Sequence, residues 1–145
     1  MTDKEVVISI KGGQQGDDVK EEMELITDGV FSYENGRARL AYMESELTGL
    51  EGTRTTFDID PMSIIMTREG TLNSQMVFEE GKRHNFLYET PFGAATMGVK
   101  TRRVHVALDE HGGDMEVDYM VELQHSVVGY NYVTINVREQ RNDIR

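Results

Sequence analysis

The chain has 145 residues, a formal net charge of −11 and no cysteine. That length fits one domain burying roughly two thirds of its unfolded surface, which needs no covalent staple. The missing thiols exclude disulfides, cysteine-ligated clusters and a thiol nucleophile, and the acidity works against phosphate backbones and anionic lipid as partners.

In chain order, apolar residues recur with period two, the pattern of strands with one buried face. Val6-Ile8-Ile10 comes first, then Met23-Leu25 running on to Phe31-Tyr33, then Ala38-Leu40-Tyr42. Shorter inward pairs follow at Phe57-Ile59, Ile64-Met66, Met76-Phe78 and Phe86-Tyr88. Three long stripes close the chain: Val104-Val106-Leu108, Met115 through Val117, Tyr119 and Val121 to Leu123, and Val133-Ile135-Val137. No segment sustains a helical repeat. Asn35-Gly36 is a hairpin signal, because both central positions of a type I′ turn need positive φ. Glu80-Gly81 and His111-Gly112-Gly113-Asp114 serve similarly, and Pro61 and Pro91 fall between stripes.

The pattern predicts an all-β fold over residues 1–145, an antiparallel meander of about 8–10 strands closed into a calycin- or lipocalin-like barrel. Closure follows because no helix is available to cover the two edge strands; a sandwich is the alternative. The polar tail 139–145 is expected to fray. The N-terminus lacks a basic start followed by an apolar stretch, and no run reaches the length of a membrane span, so the expectation is a cytoplasmic chain.

Known loops for nucleotide chemistry are missing: Gly12, Gly13 and Gly16 form neither a dinucleotide fingerprint nor a P-loop, and there is no Gly-x-Ser-x-Gly elbow. His84, His105, His111 and His125 are scattered with no pair at metal-ligand spacing, so neither metal nor cofactor is expected. Asp58 and Asp60 share a face, but Phe57 and Ile59 take the buried phase and send both to solvent. His125 continues the inward phase of Val121 and Leu123, which usually marks a satisfied core or rim residue, a catalytic histidine being the lesser alternative. Lys100-Thr101-Arg102-Arg103 alternates between faces and makes no single basic patch.

A sharper signal appears where each inward stripe is followed past its apolar part. Ala38-Leu40-Tyr42 runs into Glu44 and Glu46, and Ile64-Met66 runs into Arg68. Read backwards, Phe78-Met76 runs into Ser74 and Leu108-Val106-Val104 into Arg102. If register allows, Glu44, Glu46, Arg68, Ser74 and Arg102 gather at one mouth of the barrel, with the two carboxylates about 7 Å apart along one strand. Two readings stand: an ion-pair network plugging that end, or the polar end of a ligand site. The nine methionines admit either a gap-filled core or an adaptable pocket wall.

Three blocks also carry a family resemblance. Residues 42–53 (Tyr-Met-Glu-Ser-Glu-Leu-Thr-Gly-Leu-Glu-Gly-Thr), 68–78 (Arg-Glu-Gly-Thr-Leu-Asn-Ser-Gln-Met-Val-Phe) and 88–93 (Tyr-Glu-Thr-Pro-Phe-Gly) resemble the YwiB-like bacterial β-barrel proteins of unknown function. The resemblance runs from about Val6 to Val137 and implies a calycin-like, intracellular bacterial barrel; it supplies no catalytic residue.

The functional reading is a non-enzymatic barrel binding a small, amphipathic, charged molecule. Glu44, Glu46, Arg68, Ser74 and Arg102 would orient the ligand, and Tyr42, Met66 and Met76 would form wall, around a cavity of roughly 300 Å³. The alternative is a homodimeric interaction module with a solid core, using outward Tyr130 and Tyr132. A third reading is hydrolase or isomerase chemistry at Glu44 or Glu46.

Overall fold

Every period-two stripe becomes a strand. The computed structural model describes residues 3–15, 20–124 and 126–140, and in it the strands are β1 (Lys4–Gln15), β2 (Lys20–Glu34), β3 (Arg37–Met43), β4 (Arg54–Ile59) and β5 (Ser63–Glu69), then β6 (Asn73–Glu79), β7 (Arg83–Thr90), β8 (Gly93–Asp109), β9 (Gly112–Leu123) and β10 (Ser126–Glu139). Each pairs antiparallel with the next and β10 returns to β1, so the ten strands form a closed barrel rather than a sandwich. The one helical element among the described residues is a 3₁₀ turn, Glu46–Thr48, and no helix there is long and apolar enough to cross a membrane.

Val6, Ile8, Phe31, Leu40, Ile64 and Ile135 are almost completely buried and fix the inward phase of their strands. A one-residue slip would turn each of these side chains to solvent, which is why register is firmly specified. Asn35 (φ 53°) and Gly36 (φ 80°) make the tight β2–β3 turn. That turn shares one end of the barrel with the β4–β5, β6–β7 and β8–β9 turns. The opposite end, the mouth, carries the β3–β4 connection with its 3₁₀ turn and the β5–β6 and β7–β8 connections.

The barrel wall departs from regularity in three places. β8 carries a bulge, since Thr101 faces Tyr119 of β9 while Arg103 faces Asp118, leaving Arg102 as the extra residue. β6 and β7 pair only through Asn73 with Glu89 and Ser74 with Tyr88; nearer their turn they separate. There Gly81 N donates to Thr101 O at 2.9 Å and Thr101 N to Lys82 O at 3.1 Å. Finally, β3 meets β2 only from Val30 onward, so the first part of β2 pairs with β1 alone.

The first two residues of the expected tail, Glu139 and Gln140, are tied to β1. Glu139 lies in β10 and pairs with Lys4 at 2.9 Å, and Gln140 N donates to Glu5 O at 3.3 Å, so antiparallel pairing with β1 holds these two residues. Residues 141–145 of the expected tail lie outside the described residues.

Candidate functional site

Cross-strand register assembles one layer of side chains near the mouth. Tyr42 of β3 faces Thr55 of β4, Thr55 faces Arg68 of β5, Arg68 faces Ser74 of β6, and Ser74 faces Tyr88 of β7. Directly opposed residues point to the same side of the sheet, so five consecutive strands deliver these groups to one level of the interior. The layer below is apolar: Leu40, Phe57, Met66 and Met76 follow the same ladder.

Beneath this layer the interior is hollow. A cavity of about 190 Å³ is walled by Phe57, Met66, Met76, Phe78, Met115 and Ile135, and its polar side chains are Tyr42, Glu44, Thr48, Arg68 and Tyr119. It is smaller than the drug-sized range of roughly 300 Å³ upward. The rings of Phe78 and Tyr119 stand 4.8 Å apart between centroids, and Phe57 is stacked 6.4 Å from Tyr42.

The two charged groups of the cavity differ in how they are satisfied. Glu44 is buried, yet its carboxylate accepts from Thr48 Oγ1 at 2.8 Å and Thr55 Oγ1 at 3.0 Å, and its backbone N donates to Thr53 O at 2.8 Å. Arg68 has a buried Nε with no hydrogen-bond partner, and among the described residues it makes no ion pair. Ser74 Oγ, on the residue opposite, is likewise buried without a partner, as is Thr101 Oγ1 deeper along the wall. Burial, then the neighbouring Glu44 carboxylate, push the Tyr42 phenol far above its ordinary value, against the opposing pull of Arg68. Burial also raises Tyr119, again opposed by Arg68. Arg68 therefore acts electrostatically on both phenols.

The structure brings together Glu44, Arg68, Ser74, Tyr42, Met66 and Met76, and separates Glu46 and Arg102 from them. Glu46 is exposed because β3 ends at Met43. Ser45 then caps the 3₁₀ turn, its Oγ accepting from Leu47 N at 3.3 Å, and Gly49 closes it with φ 76°. Period two no longer governs a turn, so the expected carboxylate pair along one strand does not form. Arg102 is exposed because the β8 bulge reverses the phase: Val99 and Thr101 point in before it, Val104 and Val106 after it. Thr101 takes the inward place expected for Arg102. His125 lies outside the described residues.

Of the methionines, Met23, Met66, Met76 and Met115 line the cavity, while Met43 and Met62 are exposed on the outside. Tyr130 is exposed, whereas Tyr132 is half-buried and donates to Glu22 at 2.8 Å; a Cβ at Gly13 would collide with its ring. Asp58 faces outward and pairs with Arg39 at 2.8 Å. A groove of about 500 Å³ lies outside the barrel where β2 and β3 diverge, lined in part by Asp28, Met43 and Arg54. Tyr42 also lines it and so separates it from the interior. No three His, Asp or Glu side chains among the described residues are grouped to hold a metal.

Sequence reasoning does not single out Thr48, Thr55 or Tyr119 as site residues. Thr55 is accessible to it: extending Phe57-Ile59 backwards reaches Thr55 and Thr53, both fully buried. Tyr119 carries the inward phase but reads as core. Thr48 sits in a turn, where no periodicity points at the cavity.

The fold agrees with known structures. The crystal structure of the ywiB protein from Bacillus subtilis superposes with a TM-score of 0.85 over 96% of this chain and 94% of that one, at 19% sequence identity. No curated protein sequence matches the chain. The profile of a family described as "Domain of unknown function (DUF1934)" matches residues 8–135. With that match spanning most of the barrel, from β1 to β10, the chain belongs to the DUF1934 family.

Proposed function

We propose that this protein is a non-enzymatic barrel that binds a small organic molecule in its interior. The observation that carries the reading is the unpartnered Arg68 Nε at the polar end of an apolar-walled cavity. Enclosed apolar space with a few convergent polar groups is the usual form of a ligand site. At about 190 Å³ the cavity suits a compact molecule and excludes a long acyl chain, since a void of roughly 150 Å³ takes one benzene-sized guest. Glu44 contributes as a structural anchor: its hydroxyl clamps tie the 3₁₀ turn to β4 and fix one edge of the cavity.

Native mass spectrometry of the protein isolated from its own host tests this reading. A non-covalent adduct of small-molecule mass, lost when Met76→Trp fills the cavity, is the expected result. A bare chain, together with no response of the cavity methionines to any small organic probe, overturns it.

A second reading, self-association, is favoured by Val127 and Val128 (each 48% exposed) and Tyr130 (51%) on β10. Sedimentation showing concentration-dependent dimers that Tyr130→Ser abolishes supports it; monomer at all concentrations removes it.

A further inference from the structure

We infer that the ligand of this cavity is a small apolar-tailed monocarboxylate, seated with its anionic head on Arg68 and its tail among Met66, Met76 and Phe57. The inference rests on the ligand-binding reading above and specifies its chemistry.

Hydrogen bonding at the polar end selects the head group. Arg68 is half-buried, with its Nε inside the wall, and a donor held away from water is stable only when paired. The chain places a carboxylate, Glu44, in the same cavity, but commits its two oxygens to Thr48 and Thr55 rather than to Arg68. The Arg68 Nε is thus left as a buried donor without a protein acceptor. Directly across the β5–β6 pair, Ser74 Oγ is a second buried group without a partner. Opposed residues in an antiparallel pair hold their Cβ atoms about 5 Å apart. Ser74 stands beside Arg68 but does not line the cavity, so the head group is addressed there by the guanidinium. Guanidinium is suited to that head group because its planar donors match carboxylate geometry.

The remainder of the cavity sets the tail. Its walls toward the closed end are thioether, aliphatic and aromatic, so a second charged group there would be buried without a partner. The volume admits about eight non-hydrogen atoms by comparison with benzene in roughly 150 Å³. Branched or cyclic short acids fit; long fatty acids do not. Glu44 adds a constraint in the other direction. A zwitterion could offer an ammonium to it, since the Thr48 and Thr55 hydroxyls use only two of its roughly four acceptor sites, so leucine is the probe that decides between the two head groups.

Three probes with one isobutyl tail separate the alternatives: 4-methylpentanoate, its neutral amide 4-methylpentanamide, and leucine. Each is titrated at pH 7 into the full chain labelled at the methionine methyl carbons and followed by NMR. The expected result is saturable shifts at Met66, Met76 and Met115, with Met43 and Met62 unmoved, and the carboxylate binding at least 10-fold more tightly than the amide or leucine. Arg68→Met should reduce the carboxylate-to-amide ratio to about one, and Arg68→Lys should retain part of it. Equal binding of acid and amide to the wild-type chain overturns the carboxylate assignment and leaves the cavity-binding reading standing. Tighter binding of leucine than of 4-methylpentanoate overturns it in favour of a zwitterion. No shift at the cavity methionines with any probe counts against both readings. Because the wild-type comparison is decisive by itself, a variant that fails to fold does not shield the inference.

Discussion

Thr55 Oγ1 donates to Glu44 Oε1 at 3.0 Å, joining the first residue beyond β3 to the inward face of β4. Thr55 is fully buried and Glu44 nearly so, which keeps water from taking over the bond. Thr55→Val keeps the shape and removes the donor, leaving a buried carboxylate oxygen short of a partner. The expected cost is about 1–3 kcal/mol, read as a lower midpoint in urea unfolding. Thr48→Val should cost less, because Thr48 is only half-buried and its hydroxyl is shared with Ser45 O at 3.0 Å.

Two glycines on the inward phase of neighbouring strands should respond unequally to a methyl group. A Cβ on Gly29 would collide with Ile8 Cδ1 and come within 2.7 Å of Ala41 O, a backbone atom that cannot yield. Gly12 has ordinary space, its nearest neighbours standing 3.6 Å from the added carbon. Gly29→Ala should therefore destabilise by about 1–3 kcal/mol through overpacking. Gly12→Ala should stay within roughly 0.5 kcal/mol of the parent. Thermal or urea unfolding of the two variants side by side checks the contrast.

Strand identity and closure are legible in the sequence because burial on one face writes itself as period two, and Val6, Leu40 and Ile135 obey it without exception. The polar end is legible to the same extent: Glu44, Arg68 and Ser74 continue unbroken stripes or lie one step beyond them. Glu46 and Arg102 depart from their expected places where a local backbone event resets the phase, a 3₁₀ turn in one case and a bulge in the other. Neither event has a strong signature, since Ser45 and Gly49 cap a turn of only three residues and the bulge is built from Thr101, Arg102 and Arg103. Cavity size is illegible for a different reason: it depends on how side chains from many strands pack across the interior, which no alternation pattern encodes.

The β6–β7 seam should be the weakest part of the wall. Only Asn73 with Glu89 and Ser74 with Tyr88 are paired across it, and beyond them the strands are bridged by side chains, His84 Nε2 lying 3.0 Å from Glu79 Oε1. Alternate amides of β6 and β7 that face the gap lack a ladder partner, so they should exchange with deuterium faster than the amides shared by β8 and β9, whose pairing is continuous on both sides of the bulge. Amide exchange followed by NMR checks this. Equal protection across the two pairs would mean that the seam zips closed in solution.

Alkaline pH should weaken the fold through Tyr42. Its native-state pKa lies far above the ordinary 10.0, chiefly because burial disfavours the phenolate and next because Glu44 repels it. A raised native pKa means that the folded chain holds the phenolic proton after the unfolded chain has released it. The contribution is fully present below pH 10 and declines as the pH climbs from there toward the native value. One such group removes about 1.4 kcal/mol by pH 11. Solvent screens it little, since Tyr42 is only 7% exposed. Tyr42→Phe should flatten the decline between pH 8 and 11. Urea midpoints at the two pH values, measured for parent and variant, test the sign directly. A parent and a variant that lose stability in parallel would show that ionisation elsewhere in the chain governs the alkaline limb.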